Sequence, residues 1–160
     1  MLQVLSFISK RGRELGMLHR CDLAIVGQAA DLPEPLDCGA PLGQPQLTAG
    51  QKAVKAAESK IGAPYSYGSA GPNAFDCSGL IYWSYKQAGK NIPRDSYGQL
   101  GGGRSIPISD LQAGDIVIYN GGSHAALYIG NGKVVHSVNY GIPVKVSPLN
   151  EMSVYSARRY

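Results

Sequence analysis

The chain has 160 residues, of which 44% are apolar, 16% charged and 8% aromatic; this fits one compact domain plus an appendage and excludes a multidomain machine. No run approaches the roughly 18–20 consecutive apolar residues that a membrane-spanning helix needs, and the composition is far from that of a disordered chain, so a soluble, folded protein with no membrane span is expected. The net charge of +4 is uneven: residues 1–50 carry four basic and five acidic side chains, net −1, whereas residues 51–160 carry eleven and six, net +5. A mildly basic domain suits an anionic, carboxylate-bearing partner, and with no basic block or basic–aromatic stripe it speaks against nucleic acid.

Residues 1–9 are apolar, but Lys10, Arg11 and Arg13 follow them, the reverse of a secretory leader, so no export signal is evident. Leu2, Leu5, Ile8, Leu15 and Leu18 trace a helical stripe broken by Gly12 and Gly16, which supports a helix only weakly. His19, in the same segment, reads as a structural or surface histidine. Cys21 and Cys38 lack CxxC spacing, which argues against a zinc site. In an exported protein their pairing would close a loop contributing ~3 kcal/mol in the chain-entropy view, and two unpaired thiols are the alternative. Between residues 31 and 50, Pro33, Pro35, Pro41, Pro45, Gly39, Gly43 and Gly50 make an extended connector. The chain therefore divides into an N-terminal extension, residues 1–47, and a domain of residues 48–160.

In that domain Thr48 caps a helix expected to run through Ile61, with Val54, Ala57 and Ile61 on one face and Gly62 and Pro64 as the stop. Asp76 caps a second helix over residues 77–88, whose apolar face carries Leu80, Ile81, Tyr85 and Ala88 and which Gly89 ends. The period then changes. Residues 115–119, 124–129, 133–138, 144–146 and 154–158 are short β-rich runs separated by Gly, Asn and Pro, which predicts an antiparallel sheet or small barrel. Helices first and strands after is an α+β arrangement.

The first turn of the second helix holds Cys77, where unpaired N–H groups and the helix dipole favour an anion, so a thiol there is expected to lose its proton more easily than usual. A small buried apolar residue is the alternative reading of a lone cysteine. A nucleophilic thiol needs a base, and the base a third group that fixes its tautomer. His124 and His136, on consecutive predicted strands, can fill both roles, although an isolated histidine is more often structural. Geometry constrains the pair. A two-residue turn at Asn131-Gly132 would set Leu127 opposite His136 and put the histidines on opposite faces. A three-residue loop, residues 130–132, would set Ile129 opposite Lys133 and Ala126 opposite His136, putting both histidines on one face, so the catalytic reading predicts the bulged loop.

Four motifs in order, Pro64-Tyr65-Ser66-Tyr67-Gly68, Phe75-Asp76-Cys77-Ser78-Gly79-Leu80, Leu111-Gln112-Ala113-Gly114-Asp115-Ile116-Val117, and His124 through Gly132 with His136, resemble the NlpC-type family of bacterial cell-wall cysteine peptidases, over residues 51–160. The resemblance implies a papain-like α+β domain, with N-terminal helices packed on the sheet. It implies Cys77 as nucleophile, His124 as base and His136 as the polar residue that orients His124. It further implies that Tyr65 lines the active site, that Asp76 and Ser78 contact the peptide on its amino side, and that Arg94, Ser96 and Gln99 border the cleft. Arg94 would suit a substrate with free carboxylates. The substrate class implied is the peptidoglycan stem peptide, cut at the γ-D-glutamyl to diamino-acid (meso-diaminopimelate) bond, by a secreted, cell-wall or periplasmic enzyme similar to actinobacterial endopeptidases. Tyr67-Gly68-Ser69, where the family usually has Trp-Gly-Gly, and the loop residues Asp95 and Tyr97 depart from the pattern, which bears on substrate preference.

Thiolate attack, proton transfer through His124 and hydrolysis of the acyl group require neither metal nor organic cofactor. Two other functions remain consistent with the residues: a papain-like amidase or acyltransferase on another substrate, because the same chemistry serves any acyl transfer, and a cell-wall binding module that retains the cleft without turnover. The oppositely charged, Pro-rich residues 1–47 resemble segments that lie across the cleft in relatives, so intramolecular inhibition is an expectation.

Overall fold

The computed structural model describes residues 45–160. The stripe at residues 2–18, His19, the Cys21 and Cys38 thiols and most of the connector lie outside the described residues. Three helices precede or flank a six-stranded antiparallel sheet: α1 (Ala49–Glu58), α2 (Cys77–Gln87), α3 (Ser96–Gly101), β1 (Arg104–Ser105), β2 (Ile116–Tyr119), β3 (His124–Gly130), β4 (Lys133–His136), β5 (Lys145–Pro148) and β6 (Val154–Arg159). This is the expected α+β class.

Helix α1 begins at a capping box: the Thr48 side chain accepts from the Gln51 N–H at 3.2 Å, and the Gln51 side chain accepts from the Thr48 N–H at 3.0 Å. It ends at Glu58, three residues before the expected Ile61. The chain then leaves through Gly62, whose φ of 91° lies in the left-handed region that glycine enters without a side-chain clash. Helix α2 has Asp76 as its N-cap, accepting from the Gly79 N–H at 2.6 Å. It carries Leu80, Ile81 and Tyr85, all fully buried. Helix α3 was not anticipated. Two glycines in the six residues Ser96-Tyr97-Gly98-Gln99-Leu100-Gly101 hide any periodicity, and the Asp95 cap on the Gly98 N–H at 2.8 Å holds its start.

The strands run in the order β1-β6-β2-β3-β4-β5. The sheet is open, with β1 and β5 as its edges, so the barrel alternative is corrected; closure would require pairing between those edge strands. Alternation divides the inner strands between two layers. Ile116, Ile118, Ala125, Leu127 and Val135 pack with Ala53, Val54, Ala57, Leu80, Ile81 and Tyr85 of α1 and α2 in the main core. Val117, Tyr119, Ala126 and Val134 face the other way, toward Leu111, Leu149, Met152 and Val154. By the same alternation His124 shares the second face with Ala126, and His136 shares it with Val134. The α1 entry is fixed by a backbone approach: Gly114, at φ 104°, touches Gly50 so closely that no side chain fits between them. Beside it the buried Tyr85 hydroxyl donates to the Gly114 carbonyl at 2.6 Å.

The β3–β4 hairpin combines both expected geometries. Gly130 pairs with Lys133, so Asn131 (φ 52°) and Gly132 (φ 68°) form a two-residue turn with both residues left-handed. That turn alone would separate the histidines. A register shift between Tyr128 and Gly130 follows, after which Tyr128 pairs with Val134 and Leu127 with Val135. The extra residue, Ile129, restores the offset that the three-residue loop was expected to supply.

Candidate active site

The loop before α2 is folded back on itself. The Ser66 N–H donates to the Phe75 carbonyl at 3.1 Å, the Phe75 N–H to the Pro64 carbonyl at 3.1 Å, and the Asp76 N–H to the Ser69 carbonyl at 2.9 Å. Asp76 then serves several donors at once: Oδ1 accepts from Gly79 N–H (2.6 Å) and Arg94 Nη1 (3.0 Å), and Oδ2 from Gly68 N–H (2.9 Å) and Arg94 Nη2 (2.9 Å). Cys77 follows this cap directly, as a partly exposed free thiol. The Ala125 and Ser78 N–H groups lie close enough to its sulfur to pull the thiol pKa down, which sets it beside the His124-Ala125 peptide at the start of β3. A buried Ser137 hydroxyl donates to the Phe75 carbonyl at 2.8 Å, tying the chain after β4 to the loop that carries the cysteine.

His124 and His136 are both buried, with His124 Nε2 3.1 Å from His136 Nδ1. His136 Nε2 in turn lies 3.0 Å from Ser147 Oγ and 3.5 Å from Glu151 Oε2. Lys145 Nζ meets the other Glu151 oxygen at 2.7 Å. Burial, reinforced by the neighbouring His136, lowers the His124 pKa to about 4. Burial likewise lowers that of His136, against an opposing pull from Glu151. Both rings are therefore neutral at pH 7.

The cysteine departs from expectation. Burial pushes its thiol pKa up, and the Asp76 carboxylate adds to this, outweighing the N–H groups of Ala125 and Ser78 that pull it down. The position at a helix start was expected to favour the thiolate, but desolvation of the anion is the larger effect. The resting pair is a neutral thiol and a neutral imidazole.

A cleft of about 560 Å³ opens over the cysteine, and Tyr65, Asp76, Cys77, Ser78, Arg94 and Ser96 are in its wall. Tyr65 is half-buried; burial, then the nearby Cys77 and Asp76, raises its pKa, and its ring meets that of Tyr140 edge-on at 5.0 Å. Arg94 faces the cleft with its charge already matched by Asp76, so its guanidinium is less available to a substrate carboxylate than its sequence position suggested. Gln99 is not in the wall. It is fully buried and its amide donates to the Ser78 and Pro93 carbonyls at 3.1 and 3.0 Å, supporting the loop from behind. Tyr67 and Tyr97 line the cleft and are 81% and 63% exposed.

Three neighbours of the histidines, Lys145, Ser147 and Glu151, were not singled out in the sequence. Lys145 pairs with His136 across β4 and β5, and Ser147 lies two residues on, on the same face. A strand-pairing argument carried one hairpin further would have found both. Glu151 follows the strand on the Leu149-Asn150 turn and carries no periodic signal. Among the described residues no cluster of His, Cys, Asp and Glu could hold a metal ion, and no helix is long and apolar enough to cross a membrane.

Residues 62–159 match the model of the NlpC/P60 family. The chain is 47% identical over 126 residues to a Corynebacterium glutamicum protein named probable endopeptidase, covering 78% of this chain and 60% of that one. It is 37% identical over 97 residues to the gamma-D-glutamyl-L-lysine dipeptidyl-peptidase of Bacillus subtilis, covering 57% and 33%. The fold superposes on the peptidoglycan hydrolase RipB of Mycobacterium tuberculosis with a TM-score of 0.64 and 31% identity, covering 69% of this chain and 64% of that one. The chain thus spans little more than half, or less, of the two sequence relatives' own length.

Proposed function

The chain belongs to the NlpC/P60 family, and from that premise we propose that it is a cysteine endopeptidase that hydrolyses peptidoglycan stem peptides. Cys77 is the nucleophile, His124 its base and His136 the group that orients His124. One observation carries the reading: the Cys77 sulfur lies against the Ala125 N–H, next to a histidine whose far nitrogen is held at 3.1 Å by a second buried histidine. This arrangement supports a nucleophile, base and orienter of acyl transfer, brought together from a helix start and the sheet.

With His124 Nε2 engaged by His136, Nδ1 is the nitrogen left to take the thiol proton. Substrate entry removes water from the cleft, the thiol proton moves to His124 Nδ1, and sulfur attacks the scissile carbonyl. The oxyanion draws on a first-turn N–H group of α2. The N–H of Gly79 is taken by the Asp76 side chain and that of Leu80 by the Asp76 carbonyl, and that of Ser78 faces the Cys77 sulfur, which leaves that of Cys77 for this task. His124 then protonates the leaving amine, and water deprotonated by His124 releases the acyl group. No step calls on a metal or cofactor.

The bond is the γ-D-glutamyl to diamino-acid linkage, a reading supported by the name of the B. subtilis relative and by a basic domain that suits a carboxylate-rich peptide. Such a substrate puts the site of action in the cell wall or periplasm. Residues 1–47 act as an inhibitory arm, so a chain beginning near Leu47 turns over faster than the full chain; equal rates refute the arm. Digestion of purified muropeptides by the wild type and by Cys77→Ala, with products read by mass, tests the core of the reading. Cleavage after D-glutamate that vanishes in the variant is expected. Cleavage that survives it removes Cys77 as nucleophile, and binding without turnover by both the full and shortened chains leaves a wall-binding module.

A further inference from the structure

A histidine is an ambiguous orienter, because its neutral ring can present either a donor or an acceptor at Nδ1. If His136 carried its proton on Nδ1, it would donate to His124 Nε2 and force the His124 proton onto Nδ1, the nitrogen that has to receive a proton from Cys77. A proton on His136 Nε2 gives the opposite result: Nδ1 accepts from a His124 Nε2–H, and His124 Nδ1 stays bare. The 3.1 Å separation between the rings is the same for both. The choice is made at the far end of His136.

There Nε2 lies 3.0 Å from Ser147 Oγ and 3.5 Å from Glu151 Oε2. A carboxylate only accepts hydrogen bonds, while a hydroxyl can do both. We propose that Glu151 is a positioning residue for the reaction: with Ser147 as the link, its carboxylate holds the His136 proton on Nε2 and so keeps His124 Nδ1 free to act as base. The chain of donors then runs in one direction, from His124 Nε2–H to His136 Nδ1 and from His136 Nε2–H to Ser147 Oγ, whose own proton is directed to Glu151. No proton moves along it during the reaction. The one transfer is from Cys77 to His124 Nδ1, and the resulting imidazolium is stabilised through a ring polarised by an anion.

Glu151 is suited to this by its other contact. Its second oxygen is held by Lys145 Nζ at 2.7 Å, so a side chain that is 36% exposed is kept in one place. The groups facing His136 are accounted for: His124 on β3, Lys145 and Ser147 on β5, and Glu151 after it. Tyr119, on β2, packs its ring 5.9 Å from that of His124 but gives its hydroxyl proton to the Leu149 carbonyl, and so does not compete. Of the charged neighbours, Glu151 favours the protonated His136 ring and Lys145 disfavours it, which gives the carboxylate a measurable signature.

The inference rests on the peptidase reading above for its effect on rate, but not for its effect on the ring. The test uses the full chain with Glu151→Gln, since an amide on this exposed side chain keeps the shape and can donate as well as accept. Nitrogen-15 NMR of the imidazoles in the resting protein, without substrate, is expected to show His136 protonated at Nε2 in the wild type. In the variant it should show a mixture of the two forms and a lower His136 titration point. On muropeptides the variant should lose roughly fivefold in kcat with KM unchanged, a size suited to a partly exposed charge-assisted contact. A His136 that keeps its Nε2 proton in Glu151→Gln overturns the proposal whatever the rate, as does a loss that falls on KM alone. A wild type that turns over no muropeptide either as the full chain or shortened to begin near Leu47 refutes the peptidase reading, and the NMR comparison still decides the role of Glu151.

Discussion

Replacing Asp76 by alanine removes the N-cap of α2, the acceptor for the Gly68 N–H and the partner of Arg94 in one step. A lost side-chain cap typically costs about 1 kcal/mol. Leaving the part-buried Gly68 N–H without an acceptor adds about 1 kcal/mol. The ion pair adds less, about 0.5 kcal/mol, because Arg94 is 34% exposed and rehydrates once released. The sum is about 2–3 kcal/mol, which for a domain of this size lowers Tm by roughly 10 °C. Arg94→Ala leaves the cap and both backbone contacts in place and should cost about 1 kcal/mol or less. Thermal and urea melts of the two single variants and the double variant form the measurement, and Asp76→Asn, which keeps one acceptor, should fall between. If Asp76→Ala costs no more than Arg94→Ala, the carboxylate is not organising the loop, and the argument from capping is wrong.

His136→Ala should retain more activity than Cys77→Ala, because it removes an orienter rather than the nucleophile: a loss in kcat/KM of roughly ten- to a hundredfold, against activity at background level. Equal losses would contradict the ranking. With His124 as the proposed base and its pKa lowered to about 4, the acid limb of kcat/KM should lie well below the ordinary histidine value of about 6.5. The same shift acts on stability. The unfolded chain binds the proton first, so this contribution is complete above about pH 6.5 and is lost as pH falls toward 4. A pH–rate profile and melts over that window check both statements, and an acid limb at 6.5 would refute the first. Gly114→Ala should destabilise by more than about 2 kcal/mol, because it combines a left-handed backbone with a collision against Gly50 at the start of α1; melts that match the wild type would show that the approach yields.

The elements with a strong local signal were legible in the sequence. Asp76 before an apolar face marked the start of α2, and Thr48 that of α1, because capping is decided by the residue at the boundary and its immediate neighbours. Strand positions followed from β-rich runs between glycines, with ends off by one or two residues. The end of α1 was misjudged because Ile61 continues the apolar spacing while Ser59 already closes the helix. Helix α3 and the two-residue β1 are too short to show a period. In the candidate site, Cys77 and the two histidines could be singled out because each stands in a recognisable local setting. The electrostatics were not. The direction of the thiol shift depends on how deeply the sulfur is buried against Ala125 and Ser78, a tertiary quantity, and Glu151 reaches His136 only after β5 has been paired and its following turn placed.

The cleft divides its labour along the chain. Ten of the eleven residues in its wall precede β1, between Tyr65 and Tyr97, and the sheet half supplies Ser123 alone. The linked groups to which the proposed base belongs, His124 and His136 with Ser147 and Glu151 behind them, all come afterwards. Cleft wall and linked histidines are thus written in consecutive stretches of one chain, joined where Cys77 meets the Ala125 peptide. Exchanging surface side chains such as Tyr67 and Tyr97 would reshape the cleft while leaving the hydrogen-bonded histidines, built from separate residues, in place.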